Sequence, residues 1–374
     1  MKVALVHELL TLRGGAERVL RIFADMFPDA PIYTLLYDEK KFGGWFPKTR
    51  VRTSRLQKKA EFLNRFPFSV FHSSFDHHLF LSRFPSAVEE WDFSGFDFVL
   101  SSSSAFAHGI ITNSAPRHLC YVNSPARYLW DRTHDVLGRA GKGLLGPLRH
   151  AYLSGLFHKL RIWDSEAADR PDALIAASKE VRRRIELYWR RDSEVIHPPI
   201  DDFWFESKPI LTRNYYLIVS QLAPYKRLDL AIRACNERNA RLVIAGEGSD
   251  RSSLEAIAGP TVTFAGYRTD EELRDLYSGA RATIFPGRED FGLVPLESLA
   301  CGTPVIAYRA GGATETLTDG VAEFFDDQDE AGIVVAMDKA ERREWNGEEC
   351  RSRAREFSSR NFADKIRDAV ARLV

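Results

Sequence analysis

Between residues 216 and 307, short apolar runs alternate with amphipathic stretches, and the joining loops are only a few residues long. Residues 216–220, 241–245, 262–265, 282–285 and 305–307 read as strands. Residues 228–238, a stretch from about 250, 270–279 and 295–301 read as helices. Strands that are apolar throughout need cover on both faces, and a helix after each strand supplies it. The cadence predicts an α/β fold with a doubly wound parallel sheet. The first half opens in the same way, with an apolar run at 3–6, a loop holding Gly14 and Gly15, and a helical pattern at 16–27. Further strands are expected at 31–35, 97–101, 118–122 and 173–177.

The stretch HPPIDDFWFESKP at 197–209, rich in proline and polar residues, separates the two series. It sets domains at 1–203 and 204–355, with a helical segment at 356–374 expected to pack back towards the first. A chain of 374 residues is long enough to give each domain its own core. Formal net charge is zero, so no overall field favours nucleic acid. The run at 3–6 is interrupted by His7 and Glu8, too soon for a secretory signal, and no apolar run has the length of a membrane span. Cys120, Cys235, Cys301 and Cys350 are scattered without zinc spacing, which fits a reduced, cytoplasmic protein.

Chemistry concentrates in PGREDFGLVPLESLACGTPVIA, 286–307. Pro295 suits a first helical position, while Gly302 and Pro304 suit the end of a short helix at 295–301. Gly292, Leu293 and Val294 then present unpaired backbone N–H groups at a helix N-terminus, which favours an anion. Glu289 lies in the loop and Glu297 in the first turn, two carboxylates that need a ligand with hydroxyls as well as an anion. A nucleotide sugar has both. Lys226, in SQLAPYKRLDLA at 220–231, falls in a strand-to-helix loop where open α/β sheets bind ligands. A lysine is usually just solvated; beside an anion site its ammonium has a diphosphate to neutralise.

Two stretches break the even charge balance. From Lys48 to Arg65 seven basic residues stand against one acid, Glu61. In KGLLGPLRHAYLSGLFHKLRIW, 142–163, basic residues alternate with leucines and aromatics. Such a stretch suits a membrane interface among anionic headgroups. It equally suits a helix packed on its own sheet with a basic outer face.

Taken together, YKRLD, GEGSD, FAGYRTDEELRDLYSGA and REDFGLVPLESLACGTPVIA resemble family 4 glycosyltransferases of the GT-B fold. The likeness is strongest over 215–320, and CYVNSPARYLWD at 120–131 further resembles mannosyltransferases of bacterial O-antigen and exopolysaccharide synthesis. The resemblance implies two Rossmann-like domains facing across a cleft, the C-terminal helix crossing back. It implies retaining transfer of mannose from GDP-mannose to a lipid-linked or oligosaccharide acceptor, with UDP-sugars as the second donor class. It implies that Gly14 and Gly15 approach the diphosphate, that Lys226 grips it, and that Glu289 holds donor-sugar hydroxyls with backbone groups of Phe291, Gly292, Leu293 and Val294. Glu297 would accept from the ribose, and Tyr267 and Arg268 would contact the base.

Two positions depart from the family pattern. Gln221 stands where an arginine usually completes the phosphate grip, leaving Arg227 or Arg288 to compensate. Asn123 stands where a histidine usually faces the donor sugar; an asparagine hydrogen-bonds but takes no charge, so it is no general base. His108, Arg127 and Tyr128 are acceptor-side candidates, with packing as the competing explanation. Asp201-Asp202 and Asp326-Asp327 read as solvated turns, and no cofactor or metal is expected. A nicotinamide dehydrogenase would show GxGxxG after a strand, which neither GGAER nor GEGSD matches. A nucleotide-sugar epimerase and a non-catalytic sensor of sugar nucleotides remain as alternatives. The place implied is the cytoplasm, peripheral on the inner face of the membrane.

Overall fold

A computed structural model describes residues 1–63, 77–113, 116–207 and 213–374 of the chain. The end of the basic stretch 48–65 lies outside the described residues. The chain forms two compact units, Met1–Ile196 with Ala363–Val374, and His197–Phe362.

In the first unit seven strands make one parallel sheet: β1 Val3–Leu10, β2 Ile32–Tyr37, β3 Val51–Thr53, β4 Phe98–Ser103, β5 Arg117–Val122, β6 Ala173–Ala176 and β7 Glu194–Val195. The order is β3-β2-β1-β4-β5-β6-β7. The strand order therefore reverses between β1 and β4, which opens a crevice at the C-terminal ends of those strands. β1 runs well past the apolar 3–6, because His7 and Glu8 are buried with partners of their own. The helix Gly15–Met26 lays Val19, Leu20, Phe23 and Ala24 on the sheet.

The second unit repeats the plan with six parallel strands, β8 Tyr215–Val219, β9 Leu242–Ala245, β10 Val262–Gly266, β11 Ala280–Phe285, β12 Val305–Tyr308 and β13 Ala322–Phe325. Their order, β10-β9-β8-β11-β12-β13, reverses between β8 and β11. Alternate residues of β8 enter different cores: Leu217 packs with Tyr277, Leu296 and Leu299 on one face, Tyr216 and Ile218 with Ile232 and Ile244 on the other. Burial on both faces is why these strands read as continuous apolar runs.

The boundary at 203 needs correction. His197 stacks on Phe291 with ring centroids 5.3 Å apart, and its Nε2 lies 2.9 Å from Glu315 Oε2. The Ile200 N–H donates to the Phe357 carbonyl at 2.8 Å, and Trp204 is fully buried in the same core cluster as Leu299. What reads as a proline-rich linker is thus part of the second unit's core. That unit also runs on to Phe362 rather than 355, and only Ala363–Val374 group with the first.

Candidate functional site

At the switch point of the second unit, the loops that follow β8 and β11 converge. Lys226, in the first loop, forms an ion pair with Glu289 in the second, each side chain about one-sixth exposed. Backbone packing fixes both loops. A Cβ on Gly287 would lie 3.0 Å from the Lys226 carbonyl oxygen, and one on Gly312 would lie 2.2 Å from Phe291 Cα. The Gly312 N–H also donates to the Glu289 carbonyl at 2.9 Å. Glycine at both positions lets three loops meet main chain to main chain.

The short helix spans Leu293–Ala300, so it begins two residues before Pro295 and ends before Cys301. Gly292, at φ +83°, makes the turn that starts it early; proline is tolerated at the third position because that N–H has no helical partner either. Gly292 carries no side chain to cap the helix, and the first-turn amides of Gly292, Leu293 and Val294 lie at its N-terminal end. From Pro295 to Ala300 every residue is buried, whereas these three are half-buried. Only the N-terminal end of the helix meets the surface.

Glu297 corrects another expectation. Expected in the first turn as an acceptor for ribose hydroxyls, it is buried, and Tyr277 Oη donates to its Oε2 at 2.8 Å. The Phe291 ring is occupied by His197 and Phe357, which leaves its main chain for a ligand. Gln221 is exposed. Arg227, at φ +55°, pairs with Asp229 at 3.2 Å instead of turning to Lys226. Tyr267 is 75% exposed, and Arg268 donates to its carbonyl at 3.1 Å. Both follow β10, two strands from β8 and hence about 10 Å away across the sheet. The structure therefore gathers Lys226, Glu289, Gly292, Leu293 and Val294, with Glu297 one turn deeper, and sets Tyr267 and Arg268 to the side.

In the first unit, Gly14 and Gly15 open the helix after β1, and Asn123 follows β5. Asn123 Nδ2 donates to Ser102 Oγ at 3.0 Å and to the Ser103 carbonyl at 3.3 Å. His108 is no acceptor-side residue. It is completely buried, with Nδ1 3.2 Å from Ser103 Oγ and its ring stacked on Trp189 at 4.6 Å. Burial pushes its pKa down, against the pull of Asp164. The Tyr128 ring packs on Phe157 and its hydroxyl is buried, so it too belongs to the core. Arg127 pairs with Asp131 at 3.5 Å.

Sequence reading passed over His7 and Glu8. The Glu8 carboxylate accepts from the N–H groups of Ala105 at 2.5 Å and Phe106 at 3.1 Å, and from Ser103 Oγ at 3.2 Å. It thereby fills a nest of amides after β4 with the chain's own anion. The only signal was a pair of polar residues interrupting an apolar run.

Comparison with known proteins sets this geometry in a family. The family model for glycosyl transferases group 1 matches residues 200–357, which contain the whole converging-loop site. The match lies within the second unit and covers most of it. Among curated relatives of this chain, D-inositol 3-phosphate glycosyltransferase of Acidothermus cellulolyticus is 40% identical over 139 residues, 32% of this chain and 29% of the relative. A GDP-mannose-dependent alpha-(1-6)-phosphatidylinositol dimannoside mannosyltransferase of Mycobacterium tuberculosis is 43% identical over 96 residues, 25% of each chain. The chain thus spans under a third of the length of these relatives. Among solved structures, HepE of Anabaena in complex with UDP superposes with a TM-score of 0.70 at 16% identity, covering 100% of both chains. Sucrose-phosphate synthase of Thermosynechococcus elongatus superposes with a TM-score of 0.72 at 14% identity, covering 100% of this chain and 99% of the other. The fold is that of these GT-B glycosyltransferases, with two Rossmann-like domains.

Proposed function

We propose that the chain is a retaining glycosyltransferase that uses a nucleotide-diphosphate sugar. The observation that carries this reading is the meeting of Lys226, Glu289 and the first-turn amides of Gly292–Val294 at one sheet switch point. A diphosphate docks on those amides and takes Lys226, which frees Glu289 to accept donor-sugar hydroxyls. Glu297, oriented by Tyr277, takes the ribose hydroxyls, and the exposed Tyr267 offers a face to the base.

In the transfer step the bond from the anomeric carbon to the diphosphate oxygen breaks while the acceptor oxygen bonds to that carbon on the same face. The acceptor's proton passes to the departing phosphate oxygen. Asn123 cannot take it, so the step depends on stabilising the charge that develops on phosphate. Lys226 and the helix amides stand where that charge grows. No resident metal or cofactor is required in this scheme.

The donor is GDP-mannose, as the names of two relatives suggest for those proteins, and the acceptor is a lipid-linked or oligosaccharide chain in cell-surface polysaccharide synthesis. Structural neighbours solved with UDP keep UDP-sugars as the competing donors. Thermal-shift titration with GDP, UDP and ADP decides between them: the largest stabilisation is expected with GDP, and a clear preference for UDP overturns the GDP assignment. Incubation with donor alone separates transferase from epimerase, since an epimerised sugar nucleotide in the products rejects the transferase reading.

A further inference from the structure

The first unit carries at its own switch point a pair of side chains that the donor chemistry above does not use. His7 lies on β1 between Thr34 of β2 and Ser102 of β4, and is 2% exposed. Its Nε2 is 3.2 Å from Glu17 Oε1. Glu17 stands in the first turn of the helix Gly15–Met26, and its other oxygen abuts the glycine turn: a Cβ on Gly14 would lie 3.0 Å from Glu17 Oε2. No side-chain hydrogen bond caps that helix. A glutamate in the first turn complements the helix dipole whether or not it has a partner. Here the carboxylate is only 16% exposed and is tied to a buried imidazole.

We propose that Glu17, anchored by His7, positions the Gly14–Gly15 turn for the transfer reaction. Glu17 acts as the strut and His7 as the group that orients it. Both are positioning residues, because His7 is too buried to meet substrate. The inference rests on the proposed transferase function, since only that reading makes the glycine turn a donor-side element.

The pair also carries a pH signature. Burial lowers the pKa of His7, but the hydrogen bond and charge of Glu17, with the charge of Glu8, outweigh it and hold the imidazole above its ordinary 6.5. Thr34 and Ser102, the residues paired with it on β2 and β4, are neutral, as is Asn123 of the neighbouring β5 loop, which bonds Ser102. Charged His7 therefore holds Glu17 most firmly below that raised pKa, and the hold weakens as pH rises through it.

The test uses the full chain and the variants His7→Gln and Glu17→Gln. Turnover of sugar nucleotide, by transfer or slow hydrolysis, is followed against pH. Nucleotide affinity is measured by calorimetry, and amide exchange is read at Gly14 and Gly15. The wild type is expected to lose activity as pH rises through a value above 6.5. Both variants should lack that falling limb and run with kcat about tenfold lower, as expected for a misplaced loop. Their nucleotide affinity should match the wild type, and the glycine amides should exchange faster. Variants that keep the wild-type rate and the falling limb overturn the inference. If the wild type turns over no sugar nucleotide, the proposed function fails instead, and amide exchange alone decides the positioning: unchanged exchange at Gly14 and Gly15 in both variants sinks it. Should His7→Gln not fold, Glu17→Gln supplies the same readouts.

Discussion

Lys226 and Glu289 satisfy each other across two loops, so a ligand that takes both must offer an anion to one and hydroxyls to the other. This makes the pair diagnostic. Lys226→Ala removes a charge-assisted contact worth roughly 1.5–3 kcal/mol, which corresponds to about a 10- to 150-fold loss of nucleotide affinity. The side chain is part-exposed and outside the core, so the melting temperature should hardly move. Glu297 calls for a gentler change, because alanine would strand the buried Tyr277 hydroxyl. Glu297→Gln keeps an acceptor for Tyr277 and removes the charge, and is expected to weaken binding while preserving the fold. Calorimetric titration with the preferred nucleotide checks both; wild-type affinity in both variants would move the site elsewhere. Sequence made Lys226, Glu289 and the amides legible because each sits in a loop whose place follows from the strand–helix cadence. The burial of Glu297 was hidden, since its partner Tyr277 comes from a helix twenty residues upstream.

Single elements were legible wherever periodicity was strong and obscure where polar residues were satisfied inside the fold. The strands of the second unit read clearly because they are apolar on both faces. β1 read as ending at Val6, because the amides after β4 that receive Glu8 lie nearly a hundred residues away. The short helix was displaced by two residues because the left-handed Gly292, rather than Pro295, sets its start. β13 was missed, its AEFF giving little pattern of its own. The converging loops depend on glycine for their approach, which gives a prediction at this scale. Gly312→Ala puts a methyl 2.2 Å from Phe291 Cα and 2.3 Å from the Phe291 carbonyl oxygen, both main-chain atoms that cannot swing aside. Overpacking of this kind costs about 1–3 kcal/mol. Because the displaced segment leads into the first-turn amides of the short helix, nucleotide affinity should fall together with thermal stability. A variant with unchanged melting temperature and unchanged affinity would show that the loops do not act as one body.

For the whole molecule, the sequence conveyed two repeats of one plan but misplaced their border, since a proline-rich stretch marks irregular backbone and not exposure. His197 and Trp204 lie in that stretch and are tied into the second unit by rings and carboxylates far along the chain. The basic stretch at 142–163 was left open between a membrane surface and an ordinary packed helix, and the structure buries one part of it and exposes another. The helix Gly146–Ala167 buries Phe157, Leu160 and Asp164 against its own unit. At its start Leu144, Leu145, Leu148 and Tyr152 are exposed, with the exposed Lys142, Arg149 and His150 among them. No helix among the described residues is long and apolar enough to cross a membrane. An apolar patch carrying Lys142 and Arg149 matches a bilayer surface bearing anionic headgroups, where each basic residue contributes about 1 kcal/mol. The protein is therefore expected to co-sediment with vesicles containing phosphatidylglycerol at low salt and to be released as salt screens the headgroups. Leu144→Ser with Leu148→Ser should reduce the bound fraction without changing nucleotide affinity, because the patch belongs to the first unit and Lys226, Glu289 and the short helix of the proposed site to the second. Equal sedimentation with neutral and anionic vesicles, or none with either, would leave the patch as ordinary surface and remove the case for a membrane-borne acceptor at this face.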